Sequence, residues 1–340
     1  MLSYICKYIV AHSQFMGGKK LRKILITGAL GQIGSELTEE MRRIYGSDNV
    51  VASSRRIKEG HEKLIESGPF EVIDVNDPET LASAVDKYKI NTIVNLAAIL
   101  SATGEKDPQQ CWNINMNGLY NILGIAKEKN CMVFTPSSIA AFGPSTPKDN
   151  TPQDTIQRPT TMYGVTKVAG ELLCDYYYKK FGVDTRGVRF PGLISYATLP
   201  GGGTTDYAVH IYYEALKSKK YSSFIQKGTY MDMMYMPDAL RAIIDLIEAA
   251  PDRLKHRNAF NVSAMSFEPE MLSASIRKFI PEFKLEYDVD PVRQEIADSW
   301  PNSLDDSDAK EEWDWNPKYD LDAMTKDMLE KLRIKLNIQG

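Results

Sequence analysis

The sequence predicts an α/β chain: a doubly wound parallel sheet followed by a smaller C-terminal domain. Three observations carry this expectation. A short aliphatic run meets a glycine turn and then a helical pattern over residues 23–43. Apolar, β-branched runs then alternate with helical runs as far as residue 190, the rhythm of parallel strands joined by crossover helices. The chain, at 340 residues, also leaves enough length for a second body with its own core.

The elements follow in order. Lys23-Ile24-Leu25-Ile26-Thr27 is fit for a strand buried on both faces. It runs into Gly28-Ala29-Leu30-Gly31-Gln32-Ile33-Gly34 and a helix through Arg43. Glycines at that spacing permit a tight turn, close approach to a pyrophosphate and tight helix–strand packing. The helix start then presents bare N–H groups to an anion. A second strand, Asn49–Ser53, ends at Ser54-Arg55-Arg56, where a dinucleotide fold commonly places an acid against the adenosine ribose. A hydroxyl followed by two arginines suits the extra phosphate of NADP, or an arginine lying along adenine, or plain solvent exposure. On chemistry alone the choice of dinucleotide stays open.

Phe70–Val75 reads as a third strand and Pro78–Tyr88 as a helix. Thr92–Leu96 is a fourth strand ending in the small pair Ala97-Ala98; Asn115–Glu128 is a helix. Met132–Thr135 is a fifth strand ending in Pro136-Ser137-Ser138, and Thr185–Phe190 a sixth. Ligands of such sheets bind at the carboxyl ends of the strands, so Ser137-Ser138 falls on the chemical edge. The expected division is an extension over 1–20, a nucleotide-binding domain over 21–190 with a return segment near 229–262, and a mainly substrate-binding domain over 191–340.

Tyr163 and Lys167 stand one turn apart on a helix expected over Met162–Tyr178. An ammonium beside a phenol favours the phenolate, which makes a general base for an alcohol proton. By itself this spacing is common, and a packed ring beside a solvated amine is its ordinary meaning. In the C-terminal half, Pro191-Gly192-Leu193-Ile194-Ser195 leads to Leu199-Pro200-Gly201-Gly202-Gly203-Thr204-Thr205-Asp206 and a helix over Tyr207–Leu216. That loop is first a capping arrangement. Its two hydroxyls, free N–H groups and carboxylate also suit a zwitterion. Thr229–Met236 and Asn258–Val262 read as strands and Pro237–Ala249 as a helix, with Met231, Met233, Met234 and Met236 as core or pocket lining.

Composition narrows the classes. A hydrophobic share of 43% and a charged share of 25% fit an ordinary globule, and a net charge of -4 argues against nucleic acid as a partner. No apolar run is long enough to cross a bilayer. The four cysteines (Cys6, Cys111, Cys131, Cys174) and four histidines (His12, His61, His210, His256) form no sequence-local metal or disulfide pattern. No metal is expected. The first acidic residue is Glu36, so the leader is acid-free and mildly basic, and a mitochondrial address is the expectation for it.

Gly28-x-x-Gly31-x-x-Gly34, Asn95-Leu96-Ala97-Ala98, Ser138 and Tyr163-x-x-x-Lys167 occur in the order of the short-chain dehydrogenase/reductase superfamily. The length and C-terminal extension resemble its extended branch, which holds nucleotide-sugar epimerases and dehydratases, over residues 21–340. Leu199–Val209, Ile296-Ala297-Asp298-Ser299-Trp300-Pro301, Ser303–Ser307 and Trp313-Asp314-Trp315 further resemble the zinc-independent, short-chain L-threonine 3-dehydrogenases. That resemblance implies a Rossmann domain, NAD as cofactor, and oxidation of L-threonine at its side-chain hydroxyl to 2-amino-3-oxobutyrate.

It also implies roles. Ser138, Tyr163 and Lys167 would be catalytic. Gly28, Gly31, Gln32, Ile33, Gly34, Ser54, Arg55, Asp74, Val75, Leu96, Ala97, Ala98, Asn115 and Pro191, with Tyr163 and Lys167, would hold NAD. Ser101, Ser138, Tyr163, Thr204, Thr205 and Asp206 would meet the substrate. A homodimer through the helices at Asn115–Glu128 and Met162–Tyr178 is implied, with Cys174, Tyr177 and Tyr178 either on or near its surface or, equally naturally, in the core. Ser54 departs from the acid usual in the family. The rival expectations are a nucleotide-sugar epimerase or dehydratase, and a dinucleotide-binding protein without catalysis.

Overall fold

Six parallel strands make the central sheet of the computed structural model, which describes residues 15–16, 19–20, 22–199 and 201–338. They are β1 (Ile24–Thr27), β2 (Val50–Ser54), β3 (Phe70–Val72), β4 (Thr92–Asn95), β5 (Met132–Phe134) and β6 (Thr185–Arg186). Their order across the sheet is β3-β2-β1-β4-β5-β6. Reversal of the winding between β1 and β4 opens a crevice at their carboxyl ends, where this architecture binds ligands.

The period of two decides which helix each strand residue meets. Ile24, Ile26, Val50, Ala52, Val94 and Phe134 point to one face and pack under α1 (Gln32–Tyr45). Leu25, Val51, Ile93 and Val133 point to the other, under α2 (Pro78–Tyr88), α3 (Gly118–Lys129) and α4 (Met162–Phe181). The first face needs a second helix, and the C-terminal half supplies it as α6 (Met236–Glu248). Arg186, fully buried, fixes that helix to the sheet edge by donating to the carbonyls of Leu246 at 2.7 Å and Ala249 at 2.7 Å. Its cation faces the negative end of the α6 dipole. Trp313 and Trp315 join this core too, which the sequence pattern did not anticipate.

The second core lies around α5 (Tyr207–Lys217), α8 (Leu321–Leu336) and a three-stranded sheet. Gly192–Ile194 pairs there in parallel with Met231–Tyr235, which pairs antiparallel with Met265–Phe267. All four methionines, Met231, Met233, Met234 and Met236, are fully buried. Met231 and Met233 face this core, whereas Met234 and Met236 face the nucleotide half, so one strand seams the two cores together.

Several boundaries differ from expectation for physical reasons. The third strand stops at Val72, leaving Asp74 and Val75 in a turn where Asp74 Oδ1 accepts from Asn76 N at 2.9 Å. The expected helix at Asn115 opens with a π turn over Asn113–Asn117 before α3. The sixth strand breaks at Gly187: Thr185–Arg186 stays in the main sheet, and Val188–Phe190 moves between Ser137–Ser138 and Phe260–Asn261. A Cβ on residue 187 would lie 2.3 Å from Thr135 O, so only glycine passes this point undistorted. Cys174 and Tyr177 are buried beneath α4, and Tyr178 lies under the Arg257 guanidinium, so Leu172 and Tyr176 are the outward residues instead.

Candidate active site

Gly28 leaves β1 with a φ of 70°, in the left-handed region that favours glycine. A Cβ there would sit 2.8 Å from Leu96 O and from Ala97 N, at the end of β4. One on Gly34 would sit 2.3 Å from Gly28 O. The turn is thus pressed against both its own helix and the neighbouring strand. Helix α1 begins after Gly31 without any side-chain cap. Its first N–H groups point at the crevice, as a pyrophosphate requires. This cradle, which any side chain would fill, fits a dinucleotide.

Ser138, Tyr163 and Lys167 stand on the opposite wall. Thr161 caps α4 by accepting from Gly164 N at 3.1 Å, which fixes the first turn carrying Tyr163. A Cβ on Gly164 would lie 2.3 Å from Ala140 O, so the helix start lies directly on the turn after Ser138. Lys167 Nζ lies 5.2 Å from the Tyr163 ring centroid and donates to Pro136 O at 2.7 Å. The lysine is therefore anchored to the loop that presents Ser138. Ser138 Oγ accepts from Ala140 N at 3.2 Å, leaving its own proton to donate. Beneath this loop, Ser137 Oγ donates to the buried Glu171, which pairs bidentately with Arg189 at 3.1 and 2.9 Å.

The third wall is the turn Thr204–Asp206 that leads into α5. Gly202 N and Gly203 N donate to Asp206 Oδ2 at 2.8 and 2.5 Å. Burial pushes the Asp206 carboxyl above the ordinary aspartate range, opposed by those two hydrogen bonds and by His210 and Arg293. Thr204 Oγ1 is buried with no hydrogen-bond partner among the described residues, an arrangement that costs free energy unless a ligand supplies the partner. The Thr205 methyl would be only 2.6 Å from a Cβ on residue 192, so Gly192 lets this turn close over Pro191. Farther out, Ser195 Oγ donates to Glu36 Oε1 at 2.6 Å, tying the loop to α1. Burial pushes the Glu36 carboxyl up to about 7, with Glu39 adding to the rise and Ser195 and Lys335 opposing it.

These walls enclose a single cavity of about 240 Å³. Gly28, Gly31, Gln32, Ile33, Gly34, Leu96, Ala98 and Pro191 line it together with Ser101, Ser138, Tyr163, Lys167, Thr204, Thr205 and Asp206. Ser54, Arg55, Asp74, Val75 and Ala97 line an adjoining cavity at the carboxyl ends of β2 and β3. Asn115 stands apart, lining a small space behind Lys167. Its amide bonds the backbone of Ile99 in both directions and donates to Thr166 Oγ1 at 3.1 Å, pinning the π turn.

Sequence reasoning missed Trp300, which reaches the main cavity from the end of α7 (Pro291–Asp298) and carries no local signal of doing so. It also missed Lys58 at the outer cavity, although its place just after Arg55 and Arg56, which the sequence did bring forward, was a usable sign. Among the described residues one metal-like group appears, His256 with Asp308 and Glu312, brought together from distant stretches. Its imidazole already bonds Glu312 at 2.6 Å, away from either cavity lining.

Residues 24–263 match the NAD dependent epimerase/dehydratase family. An uncharacterized epimerase/dehydratase of Staphylococcus saprophyticus is 59% identical over 93% of this chain and 98% of its own length. The structure is similar to that of an L-threonine dehydrogenase from Clostridium difficile, with a TM-score of 0.91 and 67% identity over 93% of this chain and 98% of the other. It is also similar to the holo form of a GalE-like L-threonine dehydrogenase from Cupriavidus necator, with a TM-score of 0.88 and 47% identity over 91% and 99%. The staphylococcal relatives argue against a mitochondrial address, and most of the leader on which that expectation rested lies outside the described residues. No helix among the described residues is long and apolar enough to cross a membrane. With the glycine cradle and the Ser138, Tyr163 and Lys167 wall facing one cavity, the chain belongs to the NAD-dependent epimerase/dehydratase family, the extended short-chain dehydrogenase/reductases, and its cofactor is NAD.

Proposed function

We propose that this enzyme oxidises L-threonine at its side-chain hydroxyl to 2-amino-3-oxobutyrate, with NAD as the hydride acceptor. The observation that carries the reading is the Thr204–Asp206 turn, with its buried, unpartnered Thr204 hydroxyl and acceptor carboxylate, in the same cavity as Ser138 and Tyr163. An amino acid carries an ammonium for Asp206 and a carboxylate for the threonine hydroxyls, with Ser101 at the same end. The likeness to L-threonine dehydrogenases at up to 67% identity supports the same substrate.

In this reading Ser138 donates to the substrate oxygen and Tyr163 removes its proton. Lys167 supplies positive charge beside the ring while its anchor on Pro136 holds the three groups in register. A base so placed contributes about two to four powers of ten in rate. When bound, NAD would supply the hydride acceptor. Gly28, Gly31, Gln32, Ile33 and Gly34 would hold its pyrophosphate, Leu96, Ala97, Ala98 and Pro191 its two flanks, and Ser54, Arg55, Asp74 and Val75 its adenosine. Asn115 acts by bracing the wall behind Lys167.

The domain division proposed is 21–190 for the nucleotide half, completed by a return segment near 229–262, and 191–340 mainly for the substrate. The proposed oligomer is a homodimer through α3 and α4, whose outer faces carry the exposed side chains Tyr120, Leu172 and Tyr176. The test of function is direct: protein, NAD and threonine are mixed and reduced nicotinamide absorbance is followed. Threonine-dependent NADH that disappears in Tyr163→Phe, with NADH binding kept, is the expected result. Silence with threonine, together with turnover of a nucleotide sugar, would sink the reading in favour of an epimerase or dehydratase. Binding of NAD without turnover of either would favour a non-catalytic role.

A further inference from the structure

We propose that the adenosine end of the cofactor site is an anion subsite, so that the chain binds NADP(H) alongside NAD(H) through Arg55 and Arg56. In a doubly wound fold the residue closing the second strand stands at the adenosine ribose. A carboxylate there bonds the 2′-hydroxyl and repels a 2′-phosphate, whereas a nearby arginine accommodates the phosphate. Here β2 closes with Ser54, a neutral hydroxyl. Its position is fixed by the sheet, since Ser54 O accepts from Ile73 N at 3.0 Å and the preceding Ser53 O accepts from Ala29 N at 2.9 Å in the glycine turn.

The charges around the outer cavity are lopsided. Arg55, Arg56 and Lys58 line it, and among the described residues none of them lies within ion-pair distance of a carboxylate. Asp74 is the single acid of the lining, and one of its oxygens is taken by Asn76 N. Three exposed cations with no internal partner, facing a pocket whose floor has lost its carboxylate, make a receptor for a doubly charged group. A ribose 2′-phosphate carries about −1.5 to −2 charges, and arginine meets it with paired, charge-assisted hydrogen bonds. NAD(H) still fits, because the glycine cradle and the Ser54 hydroxyl do not depend on that phosphate.

The experiment titrates the full chain with NADH and with NADPH, following fluorescence of the reduced nicotinamide, so that binding is read without turnover. The expected dissociation constants lie within about tenfold of each other at low salt. Raising salt from about 0.05 to about 0.5 M weakens NADPH more than NADH, because the 2′-phosphate adds contacts to exposed charges. Replacing both arginines (Arg55→Ala with Arg56→Ala) weakens NADPH at least about tenfold more than it weakens NADH, and Ser54→Asp discriminates against NADPH in the same sense. All three positions are at the surface, so retained NADH binding reports an intact fold. NADPH binding more than about tenfold weaker than NADH in the unaltered chain, or equal weakening of both dinucleotides by the double replacement, overturns the proposal.

Discussion

Glu36→Gln isolates a titrating contact between α1 and the loop that leads to the Thr204–Asp206 turn. In the native chain Ser195 Oγ donates to Glu36 Oε1, and glutamine keeps an acceptor oxygen in the same place while removing the charge. The carboxyl is pushed from its ordinary 4.5 up to about 7, mainly by burial. Below pH 4.5 it is protonated in folded and unfolded chains alike and contributes no pH dependence. As pH rises toward about 7, the unfolded chain releases the proton first. Stability therefore falls across that window and stays lower above it. With a tenfold change in proton affinity worth about 1.4 kcal/mol, the full cost is about 3 kcal/mol. Relaxation of the loop around the charge reduces that figure.

The assay is urea unfolding of both proteins near pH 4 and near pH 8. Glu36→Gln is expected to match the native chain at the lower pH and to exceed it at the higher by about 1 to 3 kcal/mol. Asp232, which burial also pushes up to about 7, titrates in the same direction, but it is common to both proteins and cancels in the difference. An equal difference at both pH values would refute the reasoning, because the effect would then be shape and not charge.

Two further outcomes follow from packing. Gly34→Ala drives a methyl to 2.3 Å from Gly28 O, so NADH titration is expected to show at least about a tenfold loss of affinity, and urea unfolding a loss of about 1 to 3 kcal/mol. Glu171→Ala strands the buried Arg189 guanidinium, and a loss of about 3 to 5 kcal/mol is expected in the same unfolding assay, larger than for Glu171→Gln. An Ala variant as stable as the native chain would show that Arg189 finds water or another acceptor.

The parts legible in the sequence are those in which neighbours along the chain are neighbours in space. The strand, glycine turn and helix over residues 24–45 needed only local spacing, and so did the Tyr163 and Lys167 pair on α4. Strand alternation with helices was enough for the parallel sheet. What stayed hidden was decided by remote partners. Gly187 looks like an interior strand residue, yet Thr135 O and the pairing of residues 188–190 with two other segments break the strand there. Trp300 enters the cavity, and Trp313 and Trp315 enter the first core, from a stretch whose periodicity carries no hint of either destination. Of the two places open to Cys174 and Tyr177, surface or core, they take the core, because α4 uses that stripe against α3 and the sheet, and the spread of charged and apolar residues around α4 does not announce which face that is.

The three-residue strand after Gly187 has a consequence for anyone wishing to exchange substrate halves between relatives. Phe190 is aligned with Ser138 in one ladder, and Gly192–Ile194 then pairs with Met233–Tyr235, so one continuous segment ties the serine to the sheet of the second core. A slip of one residue in that ladder turns every side chain on it to the opposite face. A chimera joined at residue 188 or 191 would place its seam inside the alignment that positions Ser138 in the cavity. Joints placed before Thr185 and after Ser195 carry the whole alignment as one cassette, and the graft then inherits its register instead of having to find it.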